Sequence, residues 1–65
     1  MPLIQVDMFE GRSDEQVQLL MEALTDTTSR VLGCKAENVS IIVRDVPPAR
    51  WATGGVLRGN RAADQ

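Results

Sequence analysis

The chain has 65 residues, 43% of them hydrophobic, with seven basic and nine acidic side chains, a net charge of −2, one cysteine and no histidine. That excludes an internal disulfide and a zinc-type ligand set. The mixed charge gives no basic footprint for nucleic acid, and no apolar run approaches membrane-spanning length.

A single domain of this size, here taken as 1–65, buries too little surface to be comfortably stable alone. With disulfides and metals set aside, association between copies is the remaining remedy. One Trp, one Phe and no Tyr make the apolar surface aliphatic. No basic-then-apolar leader precedes the first element, and a single unpaired cysteine fits a reducing compartment, so a cytoplasmic protein is expected. Cys34, with no histidine to activate it, is expected to be a bystander thiol.

The stretch "LIQVDMF" (3–9) alternates in part, with Ile4, Val6 and Met8 on one face, and reads as a strand. "EGR" turns. "SDEQ" (13–16) is a capping box, in which Ser13 accepts from the Gln16 amide while the Gln16 side chain reaches back. Asp14 and Glu15 add favourable negative charge at the helix start. Val17, Leu20, Met21, Leu24, Thr28 and Val31 then recur at spacings of three and four, predicting a helix over about 14–32 with one apolar face. Gly33 is placed as its left-handed C-cap.

"NVSIIVRDV" (38–46) is β-branched and predicts a second strand, stopped by Pro47 and Pro48. Strand–helix–strand in so short a chain implies parallel strands and a right-handed crossover. "ARWATGGVLRGN" reads as a loop or small hairpin, and residues from about 58 to 65 as a tail. The expected fold class is therefore α/β, or α+β, with a β-α-β unit whose sheet is left half-paired.

Chemistry has few carriers here. Without histidine no Ser/His/Asp set exists, and neither glycine-containing loop has phosphate-loop spacing. Pro2 is different. Once Met1 is removed, it carries a free secondary amine at the end of a strand. Apolar surroundings or nearby arginines lower the pKa of such an amine towards neutrality, where a general base works best.

Read whole, "PLIQVDMFEGRSDEQ" together with "WATGG" (51–55) resembles the 4-oxalocrotonate tautomerase family. The strongest match is "EGRSDEQ" (10–16) at its distance from an amino-terminal proline, and the likeness runs to about Leu57. The resemblance implies a β-α-β subunit that dimerises into a four-stranded sheet, as a homo-oligomer and often as a trimer of dimers. It implies cofactor-free keto–enol isomerisation of a small enol or dienol carboxylate, of the kind met in aromatic degradation. In that scheme Pro2 is the general base, Arg12 binds a substrate carboxylate, Trp51 walls the pocket and the Phe9 backbone helps orient the carbonyl end.

Two departures follow from the same resemblance. Ser40 stands where the family has a second arginine, and it can offer a hydrogen bond but no charge or bidentate fork. Arg50 is the candidate replacement, reaching in from another subunit. Arg44, about 13 Å along the strand from position 40, is a poor one. Ala52 and Thr53 occupy positions where dehalogenase and hydratase relatives carry an acid, which disfavours water addition. The alternative to an isomerase is a tautomerase-fold subunit of little activity, serving as a binding subunit or hetero-oligomer partner. The remaining alternative is a structural protein with an incidental Met-Pro start.

Overall fold

The computed structural model describes residues 1–58. Its elements are β1 (Leu3–Phe9), α1 (Asp14–Leu32), β2 (Ser40–Val46), β3 (Ala52–Thr53) and β4 (Val56–Leu57). β1 and β2 form a parallel pair in which Leu3 lies beside Ser40, Val6 beside Val43 and Phe9 beside Val46. A parallel pair needs a crossover, and α1 supplies it.

α1 starts where the capping box sets it. The Gln16 amide donates to Ser13 Oγ at 3.1 Å, and the Ser13 amide donates to Gln16 Oε1 at 3.2 Å. It ends at Gly33, whose φ of 68° is the left-handed conformation that a residue without Cβ adopts at no steric cost. Cys34 follows as a half-buried free thiol, its amide donating to the Ser29 carbonyl.

Two expectations need correction. The second strand begins at Ser40, not at residue 38, because Ala36–Asn38 form a 3₁₀ turn closed by the Val39 amide on the Ala36 carbonyl. Val39 is itself extended, at φ −94° and ψ 125°, but its amide closes the turn and pairing with β1 starts one residue later. Val31 also fails to join the apolar face, being 69% exposed on the last turn of α1.

The segment left open as a loop or hairpin is a hairpin. Ala52 pairs with Leu57 and Thr53 with Val56, antiparallel. Gly54 and Gly55 both have positive φ, 61° and 82°, as a two-residue hairpin turn of the I′ kind requires. Pro47 and Pro48 end β2, and Pro48–Arg50 form a 3₁₀ turn that leads into Trp51. The expected tail lies outside the described residues, except that Arg58 closes the hairpin, its amide donating to the Trp51 carbonyl at 2.7 Å.

One sheet face is half-covered: Ile4, Val6, Met8, Ile41 and Val43 lie on it, and α1 offers Val17, Leu20, Met21 and Leu24 as its half-buried apolar residues. The other face stays open, with Leu3 56% and Ile42 42% exposed. Among the described residues none is fully buried. A fully buried Leu or Ile contributes about 1.5–3 kcal/mol, and no side chain here reaches that state. The radius of gyration, 14.7 Å, also exceeds the roughly 10–11 Å of a compact chain of this length. No helix among the described residues is long and apolar enough to cross a membrane.

Ser13→Ala removes one half of the capping box and exposes the other. It is expected to lower stability by about 1 kcal/mol per subunit, measured by denaturant unfolding at fixed protein concentration, with Ser13→Asp nearly neutral.

Candidate active site

The residues singled out from the sequence fall at two ends of the β1–β2 pair. Pro2 precedes β1, and its carbonyl accepts from the Ser40 amide at 2.9 Å. Pro2 and Ser40 are thus neighbours through backbone pairing at the first end. Pro2 is half-buried, whereas Met1 ahead of it is 91% exposed. With Met1 attached, the Pro2 nitrogen is an amide and has no basicity; removal of Met1 turns it into an amine.

At the other end, Phe9 and Trp51 pack with ring centroids 4.5 Å apart and planes tilted by 57°. Such an aromatic pair contributes about 0.5–1.5 kcal/mol beyond the area it covers. The Arg58 guanidinium lies over the Phe9 ring, 5.9 Å from its centroid. Arg12 is exposed just beyond this end, three residues after Phe9 in the turn before α1.

Pro2 and Arg12 therefore do not share a site within one chain. β1 is seven residues long, and at about 3.3 Å per residue it holds the two ends roughly 23 Å apart. Trp51 is kept on the Arg12 end by Phe9. The structure brings together Pro2 with Ser40, and Phe9 with Trp51, and leaves these two groups separate.

The remaining arginines have different surroundings. Arg44 faces Asp7 across the strands at 3.4 Å, an exposed pair of little energetic weight. Arg50 is exposed, and among the described residues its guanidinium donates only to the neighbouring Ala49 carbonyl, at 3.5 Å. Arg58 was not singled out from the sequence, although a signal existed. Counting outwards from a two-residue turn at Gly54–Gly55 sets position 58 opposite Trp51. Among the described residues no group of three or more Asp, Glu, Cys or His side chains is placed to hold a metal ion.

Comparison with known proteins gives consistent findings. The family model described as "Tautomerase enzyme" matches residues 2–61. A "Probable tautomerase" of Lactiplantibacillus plantarum is 34% identical over 64 residues, covering 98% of this chain and 100% of its own. "Probable tautomerase RSp0893" of Ralstonia nicotianae is 43% identical over 56 residues, covering 86% of this chain and 80% of its own. Among solved structures, TomN, a 4-oxalocrotonate tautomerase homologue in the tomaymycin biosynthetic pathway, superposes with a TM-score of 0.90 at 45% identity, covering 95% of each chain. A heterohexamer 4-oxalocrotonate tautomerase from Chloroflexus aurantiacus J-10-fl gives a TM-score of 0.85 at 34% identity, over 91% of this chain and 95% of its own.

Trp51, the single tryptophan, reports on the aromatic contact directly. Phe9→Ala is expected to increase acrylamide quenching of Trp51 and shift its emission to longer wavelength. Unchanged quenching would contradict the packing described.

Proposed function

The chain belongs to the tautomerase family, as a homologue of 4-oxalocrotonate tautomerase, and on that premise we propose that it is a cofactor-free isomerase converting an enol or dienol carboxylate to its keto form. The observation that carries this reading is the half-buried Pro2 heading β1 in a chain of that family.

Chemically, the reaction needs one group that takes a proton from oxygen and returns one to carbon. The Pro2 amine accepts the proton of the enol hydroxyl. The oxygen lone pair then forms the carbonyl, and the displaced double-bond electrons accept a proton at carbon from the resulting ammonium. The amine is regenerated and no other reactant is consumed. Arg12 holds the carboxylate and stabilises the charge that spreads over the conjugated system. Phe9 and Trp51 keep water from the Pro2 nitrogen, which favours its uncharged form.

This assignment requires association, because β1 separates its own Pro2 from its own Arg12. The outer edge of β1 is unpaired in the single chain. A two-fold axis across that edge sets two β1 strands antiparallel and brings the first end of one against the second end of the other. Pro2 of one copy then meets Phe9, Arg12 and Trp51 of its partner. The same pairing makes a four-stranded sheet, and stacking such dimers into a hexamer would cover the open face carrying Leu3 and Ile42. A cytoplasmic setting fits the lone free thiol.

A second reading has specific support. Ser40 supplies no charge at the position of the family's second arginine, and one of the similar solved structures is a heterohexamer. In that reading the chain is one component of a mixed assembly and has little activity alone.

The test is ketonisation of 2-hydroxymuconate and phenylenolpyruvate by purified protein whose intact mass shows Pro2 at the terminus. Rate acceleration is expected, with Pro2→Ala lowering it about a hundredfold or more, within the range of general-base contributions. A rate unchanged by Pro2→Ala contradicts the isomerase reading. Native mass spectrometry separates the two readings: a homo-oligomer with activity supports the first, and an inactive chain that assembles only with a second sequence supports the other.

A further inference from the structure

We propose that Arg58 supplies the second positive charge of the substrate site, in place of the arginine absent at position 40, and so selects substrates carrying two carboxylates. The inference rests on the proposed site, since it takes the Phe9–Trp51 end as the place where substrate binds.

Four observations meet at this residue. Its backbone amide is fixed on the Trp51 carbonyl at 2.7 Å, so the side chain starts from a defined point beside the aromatic wall. Its guanidinium carbon lies over the Phe9 ring, 5.9 Å from the centroid and within cation–π reach, and among the described residues its N–H groups have no hydrogen-bond partner. It is half-buried, unlike Arg12, Arg44 and Arg50, which are all exposed. Among the described residues it has no carboxylate partner, the ion pair there being Arg44 with Asp7.

A partly desolvated guanidinium without a counter-ion is a poor arrangement for stability and a good one for an anionic ligand. Charge-assisted, bidentate contacts strengthen as water is excluded. Arg58 lies over Phe9 and is bonded to Trp51, following β4, while Arg12 follows Phe9 by three residues, after β1. An extended substrate lying along the rings would present one carboxylate to each. Arg44 is already engaged, and among the described residues Arg50 donates only to the Ala49 carbonyl. Position 40 then need supply no charge, because Ser40 keeps its backbone role beside Pro2 and the charge comes from the hairpin.

The test compares muconate with sorbate, two six-carbon dienoates that differ by one carboxylate and carry no enol to turn over. Binding is read from Trp51 fluorescence. Wild-type protein is expected to bind muconate more tightly than sorbate by about tenfold to a hundredfold, the range for one hydrogen-bonded charged contact. Arg58→Gln should remove most of that preference while leaving sorbate affinity within about twofold of wild type, and Arg58→Lys should restore part of it. Equal loss for both ligands in Arg58→Gln overturns the proposal, since it marks a packing role on Phe9. Absence of any preference in wild type overturns it as well. Because binding is measured without turnover, a failure of ketonisation bears on the isomerase reading and leaves this result to stand or fall separately.

Discussion

A two-stranded parallel sheet with one helix cannot close on itself, and the rest of the structure follows from that constraint. One face of β1–β2 is half-covered and the other carries Leu3 and Ile42 in the open. The local signals are strong, with a complete capping box at Ser13, a glycine C-cap and a two-glycine hairpin turn. What the chain lacks is interior. Its secondary structure is therefore locally specified, while its stability is assigned to contacts with other copies.

The same constraint shapes the chemistry. A strand of seven residues is long enough to keep its two ends apart, so Pro2 as proposed base and Arg12 as proposed carboxylate clamp would serve different sites. The proposed association would both cover the open face and assemble a site from two chains. Substrate would then lie between a strand terminus of one copy and the aromatic end of another. On the proposed reading, folding, assembly and activity are coupled, and a monomer is expected to be inert even with every functional side chain present.

Much of the fold was legible from local pattern. Alternation gave β1 its bounds, and the Ser13-to-Gln16 spacing and Gly33 set both ends of α1. Where the reading missed, a non-local cause was at work. Val39 is β-branched and extended, but its amide closes the Ala36–Asn38 turn instead of joining the sheet. Val31 keeps the helical apolar spacing, yet in the single chain it stays 69% exposed. For the site, the motif pointed to residue types and said nothing of distance. Pro2 and Arg12 stand ten positions apart in one stretch, and only the extended geometry of β1 shows that this proximity in sequence is separation in space. Arg58 went unread because its meaning comes from hairpin register, which sets it opposite Trp51.

The account's central claim is that the Pro2 end and the Arg12 end of each site come from different chains. Co-refolding Pro2→Ala protein with Arg12→Ala protein tests it most directly. Each variant alone is expected to be nearly inactive. An equal mixture should regain about one quarter of wild-type activity, because in a two-fold dimer half of the assemblies are mixed and each of these holds one site with both groups intact. A mixture no more active than the sum of its two components would contradict the account, since it would place Pro2 and Arg12 of the same chain in one site.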